Sequence, residues 1–488
     1  MIGVETFILV GSALVLACVA LTRFFDWLGV PFLLLFLGVG MVAGSQGYGG
    51  VTLSDPGLAQ SVGILCLVLI LFGGGLDTSW KAVRPVLGPA LSLSTLGVAL
   101  TAVPLGLAAS WLLGLPPAVG FLLGAMLSST DASAVFSILR SRDIRLQERA
   151  RRLLELESGI NDPMAVFLTV VAVEAALSPV AVSWSSLAGR FALEMLVGTG
   201  VGIGGGWLFS WLTNRLKSRQ EGLYPVFALA WAFLVFALAD KLHGSGFLAV
   251  FLAGMFAAHR DFVGRRSTER FFDGLTWLAQ IVLFLVLGFV VTPSELVPLV
   301  PKGLLLTFVM LFLARPVAVA LALAPFRFPW RESVFVGWVG LRGAVPMVLA
   351  TYPLIAGVPG APMLLIVVFI AVGFSALAQG TTLGILAQRL GLLDLAATDS
   401  VHDESVTLAP DIEEIELMVP FGSAAAGKPL VELHLPASCR IVMIGRGESL
   451  IAPDPEGGTI LLEGDILQVL ASPADIETLQ SRLMPAED

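Results

Sequence analysis

The sequence predicts an all-α polytopic membrane protein with a small α+β domain at its C-terminal end, on three observations. Hydrophobic residues make up 56% of the 488 and charged residues 13%, against about 25% charged in an ordinary soluble domain. Apolar windows of bilayer-spanning length, roughly 17 to 25 residues, recur from Phe7 to Leu386, separated by short breaks of Gly, Pro and charge. Near residue 390 the pattern stops, and Asp394 to Asp488 holds eighteen acidic and four basic residues.

Thirteen windows can be drawn, with cores at 6–22, 31–46, 58–75, 86–112, 117–139, 152–176, 191–213, 223–240, 244–258, 274–292, 303–325, 332–351 and 362–385. The number is set by the rule that cytoplasmic loops carry the excess of Lys and Arg. With the N-terminus outside, the cytoplasmic loops hold Arg23, then Lys81 and Arg84, then Arg140 to Arg152, then Arg215, Lys217 and Arg219, then Arg260 to Arg270, then Arg327 and Arg331. The opposite loops hold Arg190, Lys241 and Lys302. An odd count leaves the C-terminal segment cytoplasmic, and one span more or fewer destroys the alternation. No cleavable signal is expected, because Glu5 stands where a basic region would be and the first apolar run is long enough to remain as a span. Cys18, Cys66 and Cys439 are scattered and form neither a disulfide framework nor a metal motif.

The domains expected are residues 1–390 in the membrane, a linker at 391–410 and a soluble domain at 411–488. In the last, alternating apolar runs at 415–419, 440–444, 459–462 and 466–470 are punctuated by Gly445-Arg446-Gly447, Pro453-Asp454-Pro455 and Glu463-Gly464-Asp465. That is the chemistry of strands and hairpins, and 474–483 can close the domain with a helix.

Function is signalled by polar residues at membrane depth. Leu156 to Pro163 places Glu157, Ser158, Asn161 and Asp162 inside a run that otherwise reads as lipid-embedded helix. An ionised carboxylate there costs at least about 2.5 to 3.5 kcal/mol, so it faces the protein interior or a wet cavity and marks an ion or proton path. Asp162 is the first candidate for a group that binds a cation and a proton in turn. Ser128, Ser129, Thr130, Asp131 and Ser133 lie mid-span in the fifth window and offer oxygen ligands where a helix unwinds. Close helix packing explains the serines equally well; it does not explain Asp131. In the twelfth window Gly340-Leu341-Arg342-Gly343-Ala344-Val345-Pro346 reads as a second broken helix. Its permanently charged Arg342 is expected to form a fixed ion pair with Glu157 or Asp131. Arg315 is a further intramembrane charge whose partner the sequence does not indicate.

Thr130-Asp131, the run from Glu157-Ser158 to Asn161-Asp162, Gly244-Ser245-Gly246 with Leu248-Ala249-Val250 and Gly254, the Gly340 to Pro346 run, and Gln379-Gly380-Thr381-Thr382 together resemble the monovalent cation:proton antiporter family of the NhaP and sodium/hydrogen exchanger type. The resemblance covers residues 5 to 390. Ser423 to Leu433, Ile441 to Arg446, Ile451-Ala452-Pro453 and Glu463 to Val469 resemble the C-terminal half of the RCK regulator of potassium conductance, TrkA-C, without the Rossmann half, since no G-x-G-x-x-G is present in the tail. The pairing is similar to bacterial potassium/proton antiporters of the CvrA type.

The resemblance implies inverted repeats with two crossed unwound helices, and a transporter rather than an enzyme. It implies that Asp162 binds cation or proton, that Asn161 orients the site, that Ser158 and Thr130 supply oxygen ligands to a monovalent cation, that Asp131 acts through water or sets the local field, and that Glu157 pairs with Arg342. Asn161 stands where the electrogenic branch has a second aspartate, which implies one proton per cation. The expected activity is exchange of K+ for H+ in the cell inner membrane, serving pH, cation and volume homeostasis, with Na+/H+ exchange at the same site as the alternative. A solute symporter, a channel, which would need a carbonyl filter, and a non-transporting sensor fit less well. The expected partners are a second copy of the chain, lipid, the transported ions and a small-molecule regulator of 411–488, with no cofactor and no nucleic acid. The tail's negative charge disfavours long-range capture of an anionic nucleotide, leaving a pocket between paired tails as the place for one. Two departures from relatives stand out: Phe72 is followed by Gly73-Gly74-Gly75 instead of an acidic residue, and Gly159-Ile160 could loosen the site helix.

Overall fold

A computed structural model of the chain describes residues 4–28, 32–44, 55–141, 144–178, 183–216, 220, 222–260 and 262–393, and in the tail 413–420, 423, 425–433, 435, 439–446, 449–454, 458–472, 475, 479 and 483. Lys217, Arg219, the expected linker beyond Leu393 and most of the expected closing helix at 474–483 lie outside the described residues. The chain divides into two compact units, Met1–Asp394 and Leu395–Asp488.

The described part of the first unit is built of helices: α1 (Val4–Leu28), α2 (Phe32–Ala43), α3 (Pro56–Asp77), α4 (Trp80–Leu113), α5 (Pro117–Met126), α6 (Ala132–Ser141), α7 (Glu148–Leu177), α8 (Trp184–Leu216), α9 (Leu223–Lys241), α10 (Gly246–Ala258), α11 (Arg265–Val290), α12 (Pro293–Phe326), α13 (Trp330–Trp338), α14 (Ala344–Ile355) and α15 (Ala361–Leu390). Eight are long and apolar enough to cross a membrane by length and composition. Each expected window falls on one helix or on a pair of half-helices. The sequence sets several ends directly. Asp55 caps α3 by accepting the Gly57 N–H at 2.8 Å, with Pro56 at the first helical position. Gly114 and Gly391, in the left-handed region at φ 69° and 68°, stop α4 and α15.

Helices approach closely where they carry glycine, the packing device of membrane proteins. A Cβ on Gly198, Gly202 or Gly206 of α8 would come within 2.7, 2.7 and 2.6 Å of the carbonyl oxygens of Ser245, Ala249 and Ala253 at the start of and along α10. These are two stripes of period four lying face to face. On its other side α10 meets α3, where a Cβ on Gly254 would stand 2.5 Å from the Phe72 carbonyl oxygen.

Two parts of the chain repeat one plan. Trp80–Leu113 and Pro293–Phe326 are each 34 residues long, and each contains one π-turn, Leu93–Gly97 and Met310–Ala314. Each is followed by an interrupted helix and then by a helix of 30 residues, α7 and α15. The counterparts start 213 residues apart: Trp80 and Pro293, Pro117 and Trp330, Glu148 and Ala361. In the expected span order the two parts stand seven crossings apart and so run in opposite senses, the arrangement of an inverted repeat.

The second unit has a four-stranded antiparallel sheet of β1 (Glu413–Met418), β2 (Arg440–Arg446), β3 (Ser449–Ile451) and β4 (Ile466–Ala471), in the order β1-β4-β2-β3. Alternate residues of β4, namely Leu467, Val469 and Ala471, turn into a core with Ile441, Ile444, Leu461 and Leu479. One expected strand is corrected. Residues 459–462 make an isolated bridge, Ile460 to Pro429; their backbone is satisfied by the 427–430 segment, as in Leu461 N–H to the Lys428 carbonyl at 3.0 Å, and Ser449–Ile451 takes the sheet edge instead.

Candidate functional site

The two interrupted helices meet at their breaks. Leu127–Asp131 separates α5 from α6, and Val339–Gly343 separates α13 from α14. The Asp131 N–H donates to the Leu341 carbonyl at 2.8 Å, so unwound backbone in one break satisfies unwound backbone in the other, as burial requires. The Asp131 carboxylate accepts the Ala134 N–H at 3.1 Å and packs against Gly343, where a Cβ would have no room. It thus sits at the N-termini of α6 and α14, the helix ends that favour an anion.

Helix α7 lies along the first break and supplies its missing partners. Ser158 Oγ donates to the Thr130 carbonyl and accepts the Ala132 N–H, both at 3.0 Å. Asn161 Nδ2 donates to Thr130 Oγ1 at 2.6 Å. In this structure the hydroxyls of Ser158 and Thr130 therefore hold the break together. The buried Asn161 Oδ1 has no hydrogen-bond partner among the described residues.

Asp162, 6% exposed, accepts a hydrogen bond from Ser129 Oγ at 2.8 Å. Ser129 belongs to the hydroxyl-rich run read from the sequence but not to the expected ligand set; sequence alone did not reveal which of two adjacent hydroxyls meets Asp162 and which meets Asn161. Asp162 also lines a narrow gap, too small to hold a water molecule, with Leu67, Leu71, Val166, Phe247, Val345, Val348, Leu349 and Tyr352. A carboxylate buried among mostly apolar side chains can be neutralised by a proton or by a cation, and Ser129 brings a hydroxyl to it.

The expected Glu157–Arg342 pair is corrected. Glu157 Oε1 is bound by Arg315 NH2 at 2.5 Å, both side chains 1% exposed. The reason lies in the π-turns. Arg315 follows the one in α12 immediately, and Ser94, in the one in α4, donates to the Glu157 carbonyl at 3.0 Å; both irregular turns thus meet α7 at Glu157. Arg342 contacts Met310 Sδ through Nε at 3.4 Å, and its two terminal nitrogens have no hydrogen-bond partner among the described residues. Nor does Gly159 loosen the site helix: α7 is continuous, and Gly159 makes room for the Phe251 ring of α10.

A second, wider cleft of about 410 Å³ opens between α3, α6 and α11, with Asp77, Ser133, Ser137, Arg140, Glu269, Asp273 and Thr276 among its walls. Gly73 lines it, and a Cβ there would lie 2.9 Å from Thr276 Oγ1. Asp77, one turn along α3, puts a carboxylate into the same cleft.

Comparison with known proteins agrees with this architecture. Residues 13–389 match the model of the sodium/hydrogen exchanger transmembrane family and residues 415–484 that of the TrkA-C domain. The K(+)/H(+) antiporter NhaP2 of Shewanella baltica is 40% identical over all of this chain and 84% of its own length. The K(+)/H(+) antiporter NhaP of Alkalimonas amylolytica is 39% identical over 98% of this chain and 83% of its own. The solved sodium proton antiporter MjNhaP1 of Methanocaldococcus jannaschii at pH 8 superposes with a TM-score of 0.66 at 24% identity, covering 78% of this chain and 97% of that one, a likeness of fold. By the length of the family match and by these relatives, the chain belongs to the sodium/hydrogen exchanger family.

Proposed function

We propose that the protein is a secondary active antiporter that exchanges K+ for H+ at Asp162 by alternating access. The observation that carries this reading is the placement of Asp162, a buried carboxylate tied to one break by Ser129 and otherwise lined mostly by apolar side chains. Proton and cation compete for it, so the two move in opposite directions through one site. Ser129, Asn161 through its free Oδ1, Thr130 and Ser158 offer the oxygens for a partly dehydrated cation. Asp131 holds the field at the two helix N-termini, and the Glu157–Arg315 pair keeps α7 in place. One exchangeable carboxylate makes the exchange electroneutral. Two relatives of about 40% identity named as K(+)/H(+) antiporters favour potassium. The Na(+)/H(+) antiporter ApNhaP of Aphanothece halophytica, 25% identical over 79% of this chain, keeps sodium as the second reading.

The protein works as a homodimer in the cell inner membrane, with its N-terminus outside and its tail cytoplasmic, where a small molecule bound to the tail regulates exchange. The cleft walled by Asp77 and Asp273 is a vestibule for cations. The test is a pH-sensitive dye in vesicles holding the purified protein: addition of K+ collapses an imposed pH gradient, and Asp162→Asn abolishes the response while remaining inserted. Retained exchange in that variant removes Asp162 from the central role, and a response to Na+ alone selects the second reading.

A further inference from the structure

The Gln379-Gly380-Thr381-Thr382 run of α15 takes no part in the site as drawn, yet it contributes to a polar face that reaches the second break. Ser375, Gln379 and Thr382 are spaced i, i+4, i+7 and share one side of α15. Ser375 and Gln379 are fully buried, and in such a place polar groups are retained where they satisfy others. Gln379 Nε2 donates to the carbonyl of Trp338, the last residue of α13, which has no helical partner because the helix ends there. Ser375 Oγ donates to Gln379 Oε1 at 2.7 Å and accepts the Arg342 N–H at 3.1 Å. Trp338 Nε1 donates to Thr382 Oγ1 at 3.0 Å.

Arg342 N–H and the Leu341 carbonyl belong to one peptide group, which is planar and trans, so they point in opposite directions. Its hydrogen is held by Ser375 and its oxygen by the Asp131 N–H at 2.8 Å. One rigid plane therefore joins α15 to the first break, two residues from Ser129 and its bond to Asp162. The repeat strengthens this placement: Ser375 lies 213 residues after Asp162, the same offset that relates the helix starts, so it occupies in the second repeat the position of the carboxylate in the first.

We infer that Ser375 and Gln379 are positioning residues for the cation site, acting through the Leu341–Arg342 peptide plane on Asp131 and its neighbours. This rests on the proposed exchange at Asp162. One repeat supplies the exchangeable carboxylate and the other, at the equivalent position, supplies the hydroxyl that fixes the crossing.

The test uses the full chain in vesicles, with rates normalised to inserted protein. Ser375→Ala and Gln379→Leu raise the cation concentration for half-maximal exchange by about three- to tenfold, the worth of one lost hydrogen bond, with a smaller change in the maximal rate. Ser375→Thr restores the wild-type value. Thr382→Val, which touches the Trp338 indole and no unwound backbone, leaves it unchanged. Amide exchange of residues 339–343, read in detergent by mass spectrometry, accelerates in Ser375→Ala and stays at the wild-type rate in Thr382→Val. An unchanged half-maximal concentration in Ser375→Ala, failure of Ser375→Thr to restore it, or an equal shift in Thr382→Val overturns the inference. Absence of exchange in the wild type defeats the transport reading instead, and the amide-exchange result then still decides whether Ser375 holds the peptide plane.

Discussion

Glu157 and Arg315 bring two full charges to a place where each is about 1% exposed, and removing one partner of such a pair strands the other. Glu157→Gln is expected to cost about 3 to 5 kcal/mol, read as a lower melting temperature in detergent. In double-mutant cycles the coupling of Glu157 to Arg315 should exceed its coupling to Arg342; the reverse order would reinstate the pair that sequence reasoning expected. In the tail, Arg446 grips Asp465 with two hydrogen bonds, at 2.9 and 2.7 Å, and the Leu462 N–H adds a third at 2.8 Å. The Arg446 guanidinium, and then the Leu462 amide, hold the Asp465 carboxyl below its ordinary value against the opposing effect of burial. A depressed folded value means that the stabilisation is complete above the unfolded value, about 3.9, and is lost as pH falls through the lower folded one. The intact protein's tail should therefore become sensitive to pepsin only in strong acid, whereas Asp465→Asn is sensitive at higher pH. Identical pH profiles for the two would show that this carboxylate does not govern the tail's acid stability.

The scale of the element is governed by how close two helices can come. At the crossing of α3 and α10, a methyl group on Gly254 would sit 2.5 Å from the Phe72 carbonyl oxygen, so Gly254→Ala must separate the helices. The expected cost is about 1 to 3 kcal/mol of thermal stability. Gly74, two residues from Phe72 on the same helix, has nothing within 4 Å of a built Cβ. Gly74→Ala should therefore be neutral, or stabilising by up to about 1 kcal/mol through helix propensity. Equal melting shifts in the two variants would mean that close approach is not what these glycines provide. The glycines themselves are legible in the sequence. Which of Gly73, Gly74 and Gly75 faces a neighbouring helix is not, because three adjacent residues point in three directions around one helix.

For the whole molecule, the stretch just after α15 is stitched to the connection between the two halves of the site. The Gln147 N–H donates to the Leu392 carbonyl at 2.9 Å, Gln147 Nε2 donates to the Gly391 carbonyl at 3.1 Å, and Leu146 and Leu393 form a bridge. Residues 146 and 147 immediately precede α7, which carries Asp162. A chain ended after residue 393 keeps this stitch and should still exchange ions, with an altered dependence on pH or cation. A chain ended after residue 390 should lose about 3 kcal/mol of thermal stability, from one buried leucine and two hydrogen bonds, and its activity with it. Equal melting of the two truncations would remove the stitch from the account.

The sequence by itself determined the membrane class, the placement of most spans, the two broken helices, the polar residues that line them and the family, because hydropathy, glycine, proline and intramembrane charge are local signals. The fold class and the Asp162-bearing run were legible at that level for the same reason. The tertiary structure alone decided the partners. It gave Glu157 to Arg315, since π-turns in α4 and α12 converge on α7. It gave Asp162 to Ser129, since the break turns that hydroxyl towards Asp162 and its neighbour Thr130 towards Asn161, one position earlier on α7. It also gave the Arg342 amide to Ser375 and put β3 in place of the expected strand at 459–462. Pairings between residues 30 to 160 positions apart depend on the angle at which each side chain leaves its helix and on how the helices cross. No local pattern in the chain encodes either.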